Sequence, residues 1–161
     1  MKVVKDPSEP IVPCVLYVDP DTANREAFQA AFQREFKVLL ALGLEDAWKH
    51  LAQHDVHVVI CDQRLPGIDG SMALREIRSR YPQVRRMLVS AQADLQSLVD
   101  ALNHGGACFY IQEPWEVEVV RAAVAQAFAE IRQEWERRAY TERLLDANRQ
   151  LEFALRQTLL A

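Results

Sequence analysis

Cys14-Val15-Leu16-Tyr17-Val18-Asp19, read beside Val58-Val59-Ile60-Cys61-Asp62, decides the fold. Each is an apolar run of strand length that stops at an aspartate. A continuous apolar run, rather than an alternating one, marks a parallel strand covered by helices on both faces. Open sheets of such strands collect ligands at their carboxyl ends. Two strands that each deliver an acid to that edge predict a carboxylate cluster. Such a cluster calls for a cation, a proton or phosphoryl chemistry, because like charges brought together repel.

Strand and helix patterns alternate outward from these two runs. Strand 14–18 is followed by a helix from Thr22 to Arg34, with Ala23, Ala27, Ala30 and Ala31 near one face and Phe28 and Phe32 beside them. A short strand Lys37–Ala41 and a helix Leu44–His54 come next, then strand His57–Cys61, a turn-rich loop over Leu65–Gly70 and a helix Ser71–Tyr81. Strand Arg86–Val89, a helix Leu95–His104 stopped by Gly105-Gly106, and strand Cys108–Ile111 complete the alternation. This rhythm predicts an α/β fold: a doubly wound, five-stranded parallel sheet with a long C-terminal helix. From Trp115 to Ala161 the chain has no Gly and no Pro. Val117, Val120, Val124, Phe128, Ile131 and Trp135 follow helical spacing, and the first four are expected to pack on the sheet. Leu144, Asn148, Leu151 and Leu155 follow heptad spacing, where an asparagine in an apolar seam fixes register. A helix of about 45 residues is roughly 65 Å long. The expected organisation is a disordered leader over 1–13, a domain over 14–131, and a helical, coiled-coil extension over 132–161 that pairs two copies of the chain.

Composition narrows the function classes. The net charge is −4, with 19 basic and 23 acidic residues. No basic block points to nucleic acid, and no apolar run reaches the roughly 20 residues that span a bilayer. Cys14, Cys61 and Cys108 lie on or beside predicted strands without metal spacing, and are expected to be buried small hydrophobes in a reducing cytoplasm. His50 and His54 stand four apart on a helix with no third ligand in view. No glycine-rich phosphate cradle or Ser-His-Asp arrangement occurs, so neither an organic cofactor nor enzymatic turnover is expected.

Four motifs in order carry a resemblance to a known family. They are Leu16-Tyr17-Val18-Asp19, Cys61-Asp62-Gln63-Arg64-Leu65-Pro66-Gly67-Ile68-Asp69-Gly70, Val89-Ser90-Ala91 and Tyr110-Ile111-Gln112-Glu113-Pro114-Trp115. From Val15 to Phe128 the chain resembles the receiver domain of bacterial two-component response regulators, a flavodoxin-like fold. The Asp-Gln-Arg loop and the Pro-Trp pair are similar to a subgroup often joined to cyclic-dinucleotide or transcriptional output domains. The resemblance implies that Asp62 is the phosphoacceptor, served by a sensor histidine kinase or phosphotransfer protein. It implies Mg2+ held by Asp19, Asp62 and the Arg64 backbone carbonyl. Ser90 would donate to the phosphoryl group, and Tyr110 would be the aromatic switch. The signalling face would be the fourth helix, the fifth strand and the helix after it.

Two residues depart from the family pattern. Pro20 stands where the second metal-binding acid is expected, and a proline side chain cannot ligate a metal. Asp21 either reaches inward in its place or caps the helix from Thr22. Glu113 stands where the family has a lysine that pairs with the phosphoryl group. It either reverses the charge there or points to solvent. Mg2+ binding is therefore expected to be weak and the phosphate site impaired. Alongside a phosphorylated receiver stands a phosphorylation-independent scaffold for docking and dimerisation.

Overall fold

The computed structural model describes residues 11–91, 99, 103, 106 and 109–160. The expected helix Leu95–His104 lies almost entirely outside the described residues, as do Gly105, Cys108 and positions 1–10 of the leader. The described chain falls into two compact units, Ile11–Phe128 and the part of the final helix from Ala129 onward.

In chain order the elements are β1 (Cys14–Val18), α1 (Thr22–Phe32), β2 (Lys37–Ala41), α2 (Leu44–Gln53), β3 (Val58–Asp62), β4 (Arg64–Leu65), β5 (Ile68–Asp69), α3 (Gly70–Arg80), β6 (Arg85–Ser90), β7 (Phe109–Gln112) and a final helix Val117–Leu160. Five strands form one sheet in the order β2-β1-β3-β6-β7, and every pairing in it is parallel. The two-residue β4 and β5 form a separate antiparallel ribbon.

Alternate strand residues feed two cores, as the period-2 geometry of a strand requires. Cys14, Leu16 and Val18 join Val59, Cys61 and Leu88 on one face, under Ala47 and Leu51 of α2 and Leu74 and Ile77 of α3. Val15 and Tyr17 join Val58, Ile60, Met87 and Val89 on the other, under Phe28 and Phe32 of α1 and Val120, Val124 and Ala127 of the final helix. Both faces are covered, which is why the strands read as unbroken apolar runs. Helix α1 buries Phe28 and Phe32 and leaves Ala23, Ala27 and Ala30 exposed. One expectation is corrected: Val117, expected to pack on the sheet, lies on the exposed side of the first turn of its helix.

The strand order reverses direction between β1 and β3. At such a point the loops leaving adjacent strands part to opposite faces and open a crevice at the carboxyl edge. Asp19 follows β1 and Asp62 ends β3, so the topology sets the two acids on either side of that crevice.

Candidate functional site

Lateral backbone bonds at the strand ends hold the site. The Asp19 N–H donates to the Ala41 carbonyl at 3.0 Å, Gln63 to Val89 at 2.8 Å, and Glu113 to Ser90 at 2.8 Å. Asp19 and Asp62 are 1% and 6% exposed. Carboxylate oxygens of Asp19, Asp62 and Glu113 all lie within 4.8 Å of one another. The structure therefore brings a third acid to the cluster, and it is Glu113. The outward-pointing alternative for Glu113 is overturned.

Asp19 is held by three donors. Tyr17 Oη donates to Oδ2 at 2.8 Å, Asn24 Nδ2 to the same oxygen at 3.1 Å, and the Asp21 N–H to Oδ1 at 2.9 Å. Tyr17 shares a strand face with Asp19, two residues on. Its hydroxyl in turn accepts from Trp115 Nε1 at 3.3 Å. Burial first, and then the hydrogen bond to Asp19, push the Tyr17 phenol far above its usual range, so it stays a donor. Asn24 also donates to Glu113 Oε1 at 2.9 Å, so one amide spans the two carboxylates. Arg25 donates to the Asp19 backbone carbonyl at 2.7 Å.

Asp62 has a different environment. The Arg64 N–H donates to its Oδ1 at 2.6 Å. Burial raises the Asp62 carboxyl most, to about 6. Arg64 opposes that rise, and the charges of Asp19 and Glu113 add to it. At ~4 Å and an effective dielectric of ~20, each like-charge pair costs about 4 kcal/mol, less where half-buried Glu113 meets solvent. The loop after Asp62 is fixed by Gln63, whose carbonyl accepts from Gly70 at 2.8 Å and whose Oε1 accepts from Ser71 at 3.2 Å. A Cβ at Gly70 would collide with the Asp62 carbonyl, and Gly67 has φ 75°, so glycine is needed at both positions.

The other expected site residues are placed as follows. Asp21 is the N-cap of α1 and accepts from Ala23 at 2.8 Å and Asn24 at 3.4 Å, which is the capping alternative. Pro20 is exposed beside it. Arg64 lies on β4, opposite Asp69. Ser90 is buried at the end of β6, and Tyr110 on β7 is half-buried against the core that contains Leu88. His50 and His54 bond the Leu40 carbonyl and Lys37 and do not join the carboxylate cluster. Tyr17, Gln63 and Trp115 lie in the motifs but had no role assigned to them from sequence, and Asn24 was missed altogether. Tyr17, two residues before Asp19 on one strand face, was the readable signal; nothing local marks Asn24.

The donor set suits a hard divalent cation. Oxygens around six-coordinate Mg2+ stand about 3 Å apart when adjacent and about 4 Å when opposite, so three carboxylate oxygens within 4.8 Å of one another need only a small inward shift to share one ion.

The chain matches the family model described as the response regulator receiver domain over residues 15–125. It is 34% identical over 114 residues to the hydrogenase transcriptional regulatory protein HoxA of Cupriavidus necator, covering 68% of this chain and 24% of that protein. It is 33% identical over 113 residues to the response regulator protein FleR of Pseudomonas aeruginosa, covering 70% and 24%. It thus spans about a quarter of the length of these relatives. Among solved structures it resembles the signal receiver domain of an HD domain-containing protein from Pseudomonas fluorescens, with a TM-score of 0.76 and 27% identity over 81% of this chain and 96% of that one. A CheY-like receiver domain protein from Methanospirillum hungatei shares the fold at a TM-score of 0.72 and 22% identity, covering 77% and 99%. Among the described residues no helix is long and apolar enough to cross a membrane.

Proposed function

The chain belongs to the response regulator receiver domain family of two-component signalling, and from that premise we propose that it is a receiver whose phosphoacceptor is Asp62, in a site set against phosphorylation. The observation that carries this reading is the inward position of Glu113, within 4.8 Å of the acceptor carboxylate where the family's cation would lie. Asp62 Oδ1 is engaged by Arg64, which leaves Oδ2 as the attacking oxygen. It would attack the phosphorus of a phosphohistidine; the P–N bond breaks, a P–O bond forms, and the departing imidazole nitrogen takes a proton from solvent. Mg2+ would be held by Asp19, Asp62 and the Arg64 carbonyl, and when bound it neutralises charge on the phosphoryl oxygens. Ser90 would donate to one of those oxygens, and Tyr110 would report the change to the docking face. The incoming group still meets the Glu113 carboxylate rather than an ammonium, so uptake is slow and the product short-lived.

The donor of the phosphoryl group is a histidine kinase or phosphotransfer protein. The names of the relatives make gene regulation the proposed output. The unit from Ala129 onward supports a homodimer through the final helix: every residue from 141 to 160 is exposed, Leu144, Leu151 and Leu155 among them. This exposed seam also favours the second reading, a phosphorylation-independent scaffold. Acetyl phosphate with Mg2+, followed by intact mass, separates the two. A slow, partial adduct of one phosphoryl group that is lost in Asp62→Asn is expected; no adduct at any time leaves the scaffold. Deleting Leu144–Ala161 should leave a folded monomer by circular dichroism and sedimentation.

A further inference from the structure

We infer that Glu113 is a ligand of the site's divalent cation, standing in for the acid that Pro20 replaces, and that Asn24 positions it. The inference deepens the receiver reading and rests on it, because the cation is the one that this family's site implies.

Three features converge. The side chain at position 20 offers no donor atom, and Asp21 beside it is engaged at the start of α1. The family's donor set is therefore one carboxylate short on the β1 side. Glu113 brings that carboxylate from the β7 side, with its oxygen in the same cluster as those of Asp19 and Asp62. Its backbone is fixed by the bond to Ser90, so the side chain starts from a set place at the strand end.

Half-buried Glu113 has solvent available and would gain by leaving two acids. The Asn24 amide holds it instead, with one nitrogen bonded to Asp19 Oδ2 and Glu113 Oε1. A neutral amide aligns the two oxygens without neutralising them; a hard dication does neutralise them, and prefers carboxylate oxygens. Glutamate at position 113 thus has a use that lysine could not have. The exchange also explains why both departures occur in one chain: the ligand lost at Pro20 is regained at Glu113, and the phosphoryl-binding cation is lost in the same step. The resting, cation-bound state gains what the phosphorylated state loses.

Calorimetric titration with MgCl2, alone and in competition with MnCl2, tests this on the full chain. The parent should show one saturable site. Glu113→Gln keeps the shape of the side chain and should lower affinity at least tenfold with an unchanged circular dichroism spectrum. Asn24→Ala should lower it about threefold. Pro20→Asp added to Glu113→Gln should return affinity to within about threefold of the parent. Unchanged affinity in Glu113→Gln, or no saturable Mg2+ binding by the parent, overturns the assignment. A loss that Pro20→Asp does not recover overturns the exchange of one ligand for the other. These readouts are independent of phosphoryl uptake, so a chain that binds Mg2+ through Glu113 but never forms an adduct would refute the phosphoacceptor reading alone.

Discussion

The two sides of the site are built to different specifications. On the β1–β3 side, Asp19 and Asp62 are buried at the strand ends and held by backbone and side-chain donors. On the β6–β7 side, Ser90 keeps its place at the strand end, while the next strand delivers Glu113. The sheet treats both sides alike: each site residue is set by a lateral backbone bond that takes no account of its side chain. Parallel pairing therefore preserves the geometry of the site while a single residue inverts its charge. A fold of this kind does not fix the chemistry at its edge.

The largest effect expected from this asymmetry is on the acceptor itself. Asp62→Asn should abolish the acetyl phosphate adduct in intact-mass measurements while leaving the fold unchanged. Any adduct that survives in this variant would move the acceptor elsewhere and break the comparison.

The next effect is on stability against pH, measured in chelator. The Asp62 carboxyl is raised in the folded state from its ordinary value of 3.8 to about 6. A raised carboxyl group binds its proton more tightly when the chain is folded. Its stabilising contribution is thus full below pH ~4 and is lost as pH rises to about 6. The loss amounts to roughly 3 kcal/mol at most. Asp62→Asn should flatten the profile over that window and be more stable than the parent at pH 7 in urea unfolding. Parallel profiles for parent and variant would mean that the cluster costs the fold nothing.

A smaller effect follows from repairing the weaker side. Pro20→Asp with Glu113→Lys should raise the rate of phosphoryl uptake at least tenfold, about 1.4 kcal/mol in barrier. This is well below the Coulomb value of a full charge reversal, because solvent screens a half-buried position. Glu113→Lys alone should gain less, since it supplies a phosphoryl-binding cation and removes a carboxylate from the metal set. The two changes act on one site and should be non-additive. Additive rates would show that the two sides of the site work independently.

Much of this was legible in the sequence, and the reasons are local. The runs ending at Asp19 and Asp62 announced buried parallel strands because helices cover both faces. The glycines of the 65–70 loop marked a turn that admits no side chain. What could not be read was orientation. Glu113 is separated from Asn24 by 89 positions, and only the parallel sheet, which sets the ends of β1 and β7 on one edge, brings them together. Charge alone left two orientations open for Glu113; an amide from α1 bonds its inward one.

Tyr17 gives the smallest and most local test. Its hydroxyl accepts from Trp115, which follows β7, and donates to Asp19, which follows β1, so it joins the two sides through one atom. Trp115 lies half-buried against Phe28 and Phe32, with ring centroids 5.6 and 5.8 Å away. Tyr17→Phe keeps the ring stacked on Phe28 at 4.3 Å and removes only this link. Asp19 Oδ2 retains the Asn24 amide, so the carboxylate is not orphaned and the cost should be about 1 kcal/mol in urea unfolding. The indole N–H loses its acceptor, so the Trp115 emission should shift. In the parent, Mg2+ should alter that emission, because the cation draws on the same Asp19 carboxylate that Tyr17 serves. In Tyr17→Phe the response of the emission to Mg2+ should shrink while the affinity measured by calorimetry changes by no more than about threefold. A response of undiminished size would show that the indole senses the cation by a route other than the Tyr17 hydroxyl.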